Sequence, residues 1–582
     1  MLTIRAMTGG AGYAQRHLEH SDYYDEHRKV QGEWRGRGAE LLGLRGGVTR
    51  EQFEAVREGL HPETGEFLRP RHSVDRANDD GTEHSKARSL YDLTFSAPKS
   101  VSIQAMVGGD ERLVAAHDKA VRDALAEAES YAATRVRLIR AALVNSGKYS
   151  FVEAEEKILH SRLHLEIGAH AARTPAGQAA FLTAVLTGAR CFGEVTFKSD
   201  VDPSLLSPLP IPATTLAEAA EFLGGRFGEE PPRGRTVLIG AGLRSAGEWS
   251  VQASWDGWTA SVAPSSHQIQ LGHSDCALAG VAAGALAVGQ AFFAEQGDRF
   301  AGRRRQVLSL WSPGLSHSST CEMGPSFAQV YLPTQLWLVG LGNLGQAYLW
   351  SLSQLPYPAC NEALLFLQDD QKIGRENWGT SVLVERGRYN VLKTRVCEEW
   401  AIGRGFEVRR IDRRMDENLF RSDREPGIAL AGLDGMPARR TLGGRSFEYI
   451  VDAGLGATVD DYCKIRVNVF DSSRSPATHF RGVEDQTTQI AERLKQLPVY
   501  RDLASRRGDG GCGAALLAES SVAVPFVSAV AGALVVTQAI RIASGQAYHV
   551  TITADLRDLA SARGTLGHKP ERVNIPSTLA AE

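Results

Sequence analysis

Little in this chain would cross-link it or carry it through a membrane. Its seven cysteines, Cys191, Cys276 and Cys360 among them, are scattered, and no two stand as C-x-x-C. That spacing excludes zinc held by paired thiols and speaks against a disulfide framework, leaving free thiols in a reducing compartment. No uninterrupted run of 18 apolar residues occurs, and Met1-Leu-Thr-Ile-Arg opens without a long apolar core, so neither a span nor a leader is expected. The most membrane-like stretch, Val522 to Ile542, carries Gln538, Arg541 and many small residues, and reads as a buried helix. The expected place is the cytoplasm. Excess charge is lacking too: 65 Lys and Arg against 68 Asp and Glu leave -3, which excludes a globally basic nucleic-acid coat but not a local basic surface.

What is present divides into unequal parts. At 582 residues, 43% hydrophobic and 23% charged, the chain can fill two to four cores at roughly 150 residues each. Residues 1 to about 137 are polar, with helical periodicity at Glu51 to Gly59 and Glu111 to Ala133. Pro-rich patches, Asp202 to Pro212 and Glu229 to Gly234, flank a helical stretch at Thr215 to Leu223, so 138–234 reads as a linker and helical region of uncertain fold. Thr236-Val-Leu-Ile-Gly-Ala-Gly242 runs a strand into a glycine pair, and a strand at Trp258 to Val262 and a small-residue helix at Ala277 to Phe293 follow. This suggests a degenerate Rossmann-like half over 235–330; a mere tight turn is the alternative. From Gln335 to Ala562, strands at Leu336 to Val339, Ala363 to Leu367, Ile428 to Leu433 and Tyr449 to Val451 alternate with helical runs. That alternation predicts an α/β, doubly wound, mostly parallel sheet over 331–562, with 563–582 as a tail.

Trp337-Leu-Val-Gly340-Leu-Gly342-Asn-Leu-Gly345 opens that last part. An apolar strand, a G-x-G-x-x-G turn and a helix start present backbone N–H groups and a positive dipole end to phosphate. The glycines alone do not distinguish a dinucleotide from ATP. Asp369, ending the second strand, can accept hydrogen bonds from ribose hydroxyls in either case. Lys393 adds a compact positive charge for phosphates, Asn377 offers amide donors, and Asp434, ending the fourth strand, is a hard oxygen ligand for Mg²⁺. Together they suit attack at phosphorus. The plainer readings are a solvated Lys393 and an Asp434 that caps a helix.

These residues resemble the pattern of the ThiF/MoeB/ubiquitin-activating superfamily: after the glycine turn, an Asp eight residues before an Asn, a Lys sixteen after it, and a later strand-end Asp. The resemblance implies an ATP- and Mg²⁺-dependent adenylyltransferase acting on the C-terminal carboxylate of a ubiquitin-like or sulfur-carrier protein, with a conjugating enzyme as a further partner. It also implies a dimer, or a pseudo-dimer within one chain, with an arginine such as Arg303, Arg304 or Arg305 reaching across. Departures are Thr380-Ser381 where the family has Arg-Gln, Gly435 where it has Asn, and Gln371 for a second Asp. Gly511-Cys512-Gly513 ahead of Val522-Ala-Val-Pro525 resembles the family's C-terminal portion, and Cys512 is either an acyl-accepting nucleophile or a structural thiol. Asp452-Ala-Gly-Leu-Gly456 is similar to the loop beside the acyl site.

The N-terminal part resembles the MobF (TrwC/TraI) conjugative relaxases. The matching segments are Met1-Leu-Thr-Ile, Ala11-Gly-Tyr13, Tyr23-Tyr24, Trp34 to Leu44, and Leu93-Thr-Phe-Ser-Ala-Pro-Lys-Ser-Val-Ser102. The resemblance implies single-stranded DNA transesterification by Tyr13, helped by Asp92, as the alternative function. The family's H-x-H-x-H metal cluster has no match in His160, His164 and His170, so 1–137 is expected to be a truncated, inactive module.

Overall fold

The computed structural model describes residues 2–7, 33–34, 43–57, 60–65, 90–95, 112, 157–158, 160–229, 234–240, 243, 245, 247–267, 275–314, 324–357, 363–374, 377–385, 388–456, 461–482, 524–570 and 575–580. They fall into two compact units, one within Met1–Arg135 and one within Val136–Val499 and Leu517–Glu582. In the first, Leu2–Met7 pairs antiparallel with Leu90–Phe95, and a helix covers Arg50–Arg57. The helix expected over Glu111 to Ala133 lies outside the described residues except for Arg112.

The large unit is built of two sheets with the same plan. The first sheet comprises β1 (Arg162–Ile167), β2 (Glu194–Ser199), β3 (Arg226–Phe227), β4 (Arg235–Ile239), β5 (Ser250–Asp256), β6 (Thr259–Pro264) and β7 (Gln306–Ser309). Across the sheet the order is β3-β2-β1-β4-β5-β6-β7. The second comprises β8 (Gln335–Val339), β9 (Leu364–Gln368), β10 (Glu407–Ile411), β11 (Ile428–Ala431), β12 (Tyr449–Leu455), β13 (Lys464–Phe470), β14 (His549–Asp555) and β15 (Arg563–Leu566), in the order β10-β9-β8-β11-β12-β13-β14-β15. In both, the first five strands across are parallel and the rest antiparallel. The helices match as well. Helix α1 (Pro175–Cys191) follows β1, α2 (Leu216–Phe222) follows β2 and α3 (Ala277–Glu295) follows β6. In the second half α4 (Asn343–Ser353) follows β8, α5 (Lys393–Arg404) follows β9, α6 (Met436–Thr441) follows β11, α7 (Pro476–His479) follows β13, and α8 (Pro525–Ala543) precedes β14.

This arrangement corrects the boundaries expected from sequence. The first half begins at β1, not at residue 235, and β1 and β2 of the supposed linker are central strands of its sheet. Nor is Gly240 the counterpart of the nucleotide turn. Ile239 pairs with Ile167 as Ala431 pairs with Val339, so Gly240 answers to Gly432. By the same registers Asp200 answers to Asp369, while the glycine turn's place is taken by Gly168-Ala-His170. The first half therefore has an aspartate at the end of its second strand, as the second half does, and a different segment in place of the glycine turn. The tail is structured too: β15 joins the sheet and Ser577–Leu579 pairs with Tyr331–Pro333.

Small residues bring helices together within each half. A Cβ on Gly280 or Gly284 of α3 would lie 2.0 or 2.1 Å from the Ala176 or Ala180 carbonyl oxygen of α1. In the second half a Cβ on Gly532 of α8 would lie 2.6 Å from the Ala347 carbonyl oxygen of α4. Helices so close bury their backbones with their side chains, which is why α3 and α8 are apolar on every face. By length and composition both could cross a membrane, yet they are 94% and 100% buried inside the protein, with Phe526 of α8 stacked between Phe292 and Phe293 of α3. Across the same seam Trp350 donates to Thr183 Oγ1 at 2.9 Å, and Arg541 donates to the Trp311 carbonyl at 2.7 Å while lying over its ring.

Candidate nucleotide site

Order in the second sheet reverses at β8, whose chain continues to β9 on one side and whose other neighbour is β11, so a crevice opens at their C-terminal ends. The glycine turn fills it. Gly340 has φ +82°, and a Cβ there would lie 2.7 Å from the Gly432 carbonyl oxygen. A Cβ on Gly345 would lie 2.0 Å from the Gly340 carbonyl oxygen, so α4 rests directly on the turn. Gly342, the N-cap of α4, has the only open side: the nearest atom to its absent Cβ is Lys393 Nζ at 3.9 Å.

Asp369 binds the turn to the second strand. Its Oδ2 accepts from the Leu341 N–H and its Oδ1 from the Gln371 N–H, each at 2.7 Å. Burial raises its pKa above the ordinary carboxylate value, and the Lys393 charge and these two amides oppose that. Lys393, the first residue of α5, is 7% exposed, so it is not a solvated helix lysine. Its Nζ donates to Gln371 Oε1 at 2.7 Å, and its N–H donates to the Gln371 carbonyl at 2.9 Å. Gln371, a departure from the family pattern, thus orients the lysine. Asn377 Oδ1 accepts from the Gly374 N–H at 2.7 Å, which leaves its Nδ2 donors for a ligand. Thr380 and Ser381 are buried, so they cannot replace the family's Arg-Gln at phosphate.

Asp434 is exposed beyond β11. It is not a helix cap, because Gly435, at φ +76°, caps α6. The loop before it abuts Gly340 through Gly432 and is held by Arg439, whose Nε and Nη2 both donate to the Leu433 carbonyl at 3.1 Å. Arg439 also donates to the Ala453 carbonyl at 3.0 Å and pairs with Asp452 at 3.2 Å. Asp452 is buried with Oδ1 unpartnered, and burial raises its pKa against the pull of Arg439. Asp452 to Leu455 is strand rather than loop. Past it lies a cavity of about 680 Å³, lined by α6, the ends of β12, β13 and β14, and His479 and Phe480.

The arginine that crosses from the first half to the segment after Asn377 is Arg190 of α1. It donates to the carbonyls of Ser381 (3.3 Å), Val382 (2.8 Å) and Val384 (3.2 Å) and faces the Trp378 ring. The same segment is tied to the turn by Gln346, which accepts from the Leu383 N–H and donates to the Leu341 carbonyl. Nothing in the sequence near position 190 points to that role. Arg303, Arg304 and Arg305, the expected crossing arginines, are exposed, and Arg304 lies over Phe300.

Tyr13 and Cys512 lie outside the described residues, and of Asp92 only the backbone, in Leu90–Phe95, is described. His160 and His170 are exposed, whereas His164 is a central residue of β1, 2.8 Å from Thr196 Oγ1 and 3.5 Å from Glu166. These histidines belong to the first α/β half. Among the described residues no group of three or more His, Cys, Asp or Glu could hold a metal. Mg²⁺ needs less, since it keeps several waters and takes one or two carboxylates with substrate phosphates; exposed Asp434 fits that role.

Three family descriptions match the chain: TrwC relaxase over residues 7–157, BilD N-terminal domain over 162–310 and BilD C-terminal domain over 332–546. The relaxase match thus runs past the expected end at 137. The bacterial E1-like protein BilD of Collimonas sp. (strain OK412) is 35% identical over 438 residues, 73% of this chain and 92% of that protein. The multifunctional conjugation protein TraI of Escherichia coli (strain K12) is 41% identical over 136 residues, 23% of this chain but only 7% of TraI. Among solved structures, E. coli MccB with succinimide aligns at TM-score 0.28 and 12% identity over 42% of this chain and 66% of that one. SeMet PaaA aligns at 0.27 and 11% over 41% and 65%. Two α/β halves, a G-x-G-x-x-G turn in the second and a relative matched over nearly its whole length lead to one conclusion: from residue 162 onward this chain belongs to the BilD family of bacterial E1-like proteins, joined to a TrwC relaxase segment at its N-terminus.

Proposed function

We propose that the α/β unit uses ATP to activate the C-terminal carboxylate of a small ubiquitin-like protein. A carboxylate oxygen attacks the α-phosphorus, the bond from that phosphorus to the bridging oxygen breaks, and pyrophosphate leaves with the electron pair. The products are an acyl adenylate and pyrophosphate. The turn's N–H groups receive phosphate oxygens, Asp369 accepts from the ribose hydroxyls with its free lone pairs, and Asn377 Nδ2 donates to phosphate. Lys393 neutralises charge that develops on the leaving group. Mg²⁺ on Asp434 supplies further charge neutralisation when bound. Positioning and electrostatics do most of the work, as in other transfers at phosphorus.

The observation that carries this reading is the buried lysine beside Gly342, steered there by Gln371. A nicotinamide enzyme has no use for it. Equilibrium titration with ATP and NAD tests the choice: ATP is expected to bind more tightly, and Lys393→Ala to weaken ATP far more than NAD. Preference for NAD contradicts the reading.

The relaxase match supports a second reading for residues 7–157, single-stranded DNA transesterification through Tyr13. A covalent DNA adduct lost in Tyr13→Phe is its mark.

A further inference from the structure

The cavity beyond Asp452 lies on one face of β12, β13 and β14, where alternate residues form a polar grid. Asp452, Asn468 and Thr551 make one row, and Gly454, Arg466 and Thr553 the next, with Lys464 and Asp555 beyond. At Gly454 the Arg439 guanidinium rests on the strand itself: a Cβ there would lie 2.8 Å from Arg439 Nη1. The charges on this face are unequal. Arg439, Lys464 and Arg466, with the imidazole of His479 beside them, line the cavity against a single carboxylate, Asp555, which stands opposite Lys464. Arg439 is committed to Asp452 and three carbonyl contacts, and neighbouring Arg474 to the carbonyls of Val469 and Val550 and to His479 Nδ1. Arg466 is exposed and has no ion-pair or hydrogen-bond partner among the described residues. Its field is felt all the same: burial first, then Arg474 and Arg466, hold the His479 imidazole below its ordinary pKa.

Resting on the activation reading above, we infer that this trough receives the last residues of the acyl donor and selects an acidic side chain there, with Arg466 as its partner. The strand order indicates which residue. Asp434 follows the end of β11, whose Ala431 pairs with Asp452, and Arg466 pairs with Gly454, two positions past Asp452, on β13. β11 and β13 are two strands apart. That is about 10 Å at the usual strand spacing, which an extended chain covers in about three residues. A carboxylate held at the Asp434 end puts the third or fourth residue from the donor's carboxyl end over Arg466. An open trough suits an extended peptide, and an acid there neutralises the one guanidinium of its lining that has no partner among the described residues.

Two fluorescein-labelled peptides that end in Gly-Gly and differ only in carrying Glu-Glu or Lys-Lys before that pair test the inference by anisotropy. The full chain is used, without nucleotide. The Glu-Glu peptide is expected to bind about tenfold more tightly, with the margin shrinking at high salt, and Arg466→Glu to reverse the order. Equal affinities, absent binding, a Lys-Lys preference, or a preference that survives Arg466→Glu each overturn it. Arg466 is exposed, so the variant is expected to fold, and an unchanged melting temperature checks this. Activation is read separately by ATP–pyrophosphate exchange. Exchange driven only by the Lys-Lys peptide retains the activation reading and removes this one; an intact binding preference with no exchange does the reverse.

Discussion

Asp369 holds two backbone amides and a neighbouring lysine while its burial opposes its charge. Only the ionised form can accept from both ribose hydroxyls, and a raised pKa means the proton returns at a higher pH than on an exposed aspartate. ATP affinity is therefore expected to fall as pH is lowered toward that raised value, and Asp369→Asn to bind weakly with a flat profile; calorimetric titration across pH reads both. His549 shows the opposite sign. Burial depresses its pKa from 6.5 to about 4, so between those values the unfolded chain binds more protons and stability is lost as pH falls. Over that window the loss is roughly 3 kcal/mol, and thermal melts should show a flatter acid limb for His549→Gln. The positions of Asp369, Asn377, Lys393 and Asp434 were legible in the sequence, because local strand and helix ends fix them. Gln371 was not. Its part depends on a fold that returns residue 393 to residue 371, and as a sequence feature it was only a missing aspartate.

Helices and strands explain where reading by motif went astray. The first half was sought at its glycine pair, but β1, Arg162-Leu-His-Leu-Glu-Ile, alternates polar and apolar residues and is followed by no G-x-G. A strand that has lost its nucleotide turn carries no flag, whereas a fourth strand that ends in glycines imitates one. Small-residue helices were easier, since Ala277–Glu295 and Pro525–Ala543 have a composition only close packing explains. Gly280→Ala sets a Cβ 2.0 Å from a backbone oxygen, which must push α3 off α1, and a loss of about 3 kcal/mol in denaturant unfolding is expected. Arg190, by contrast, joins the two halves. Arg190→Met frees the segment 381–384 from α1 while Gln346 still ties it to the turn. KM for ATP is expected to rise about tenfold with a smaller change in kcat, and Arg190→Lys to recover part of it. A melting point lowered with KM unchanged would mark the arginine as structural only.

At the scale of the whole unit, two halves of the same plan are packed together. Paired sheets of the same plan bury two membrane-like helices against each other, and only the second half retains glycine turn, lysine and strand-end aspartate together. The family was legible from those residues; the extent of the first half was not, because its strands are defined by what they pair with. ATP–pyrophosphate exchange on the full chain tests the central claim most directly, with a β-grasp protein ending in glycine as acyl donor. Exchange is expected only when that protein is present with its C-terminal glycine, and to fall by about a hundredfold in Asp434→Ala and in Lys393→Ala. Exchange that ignores the donor, or that survives both substitutions, would contradict it.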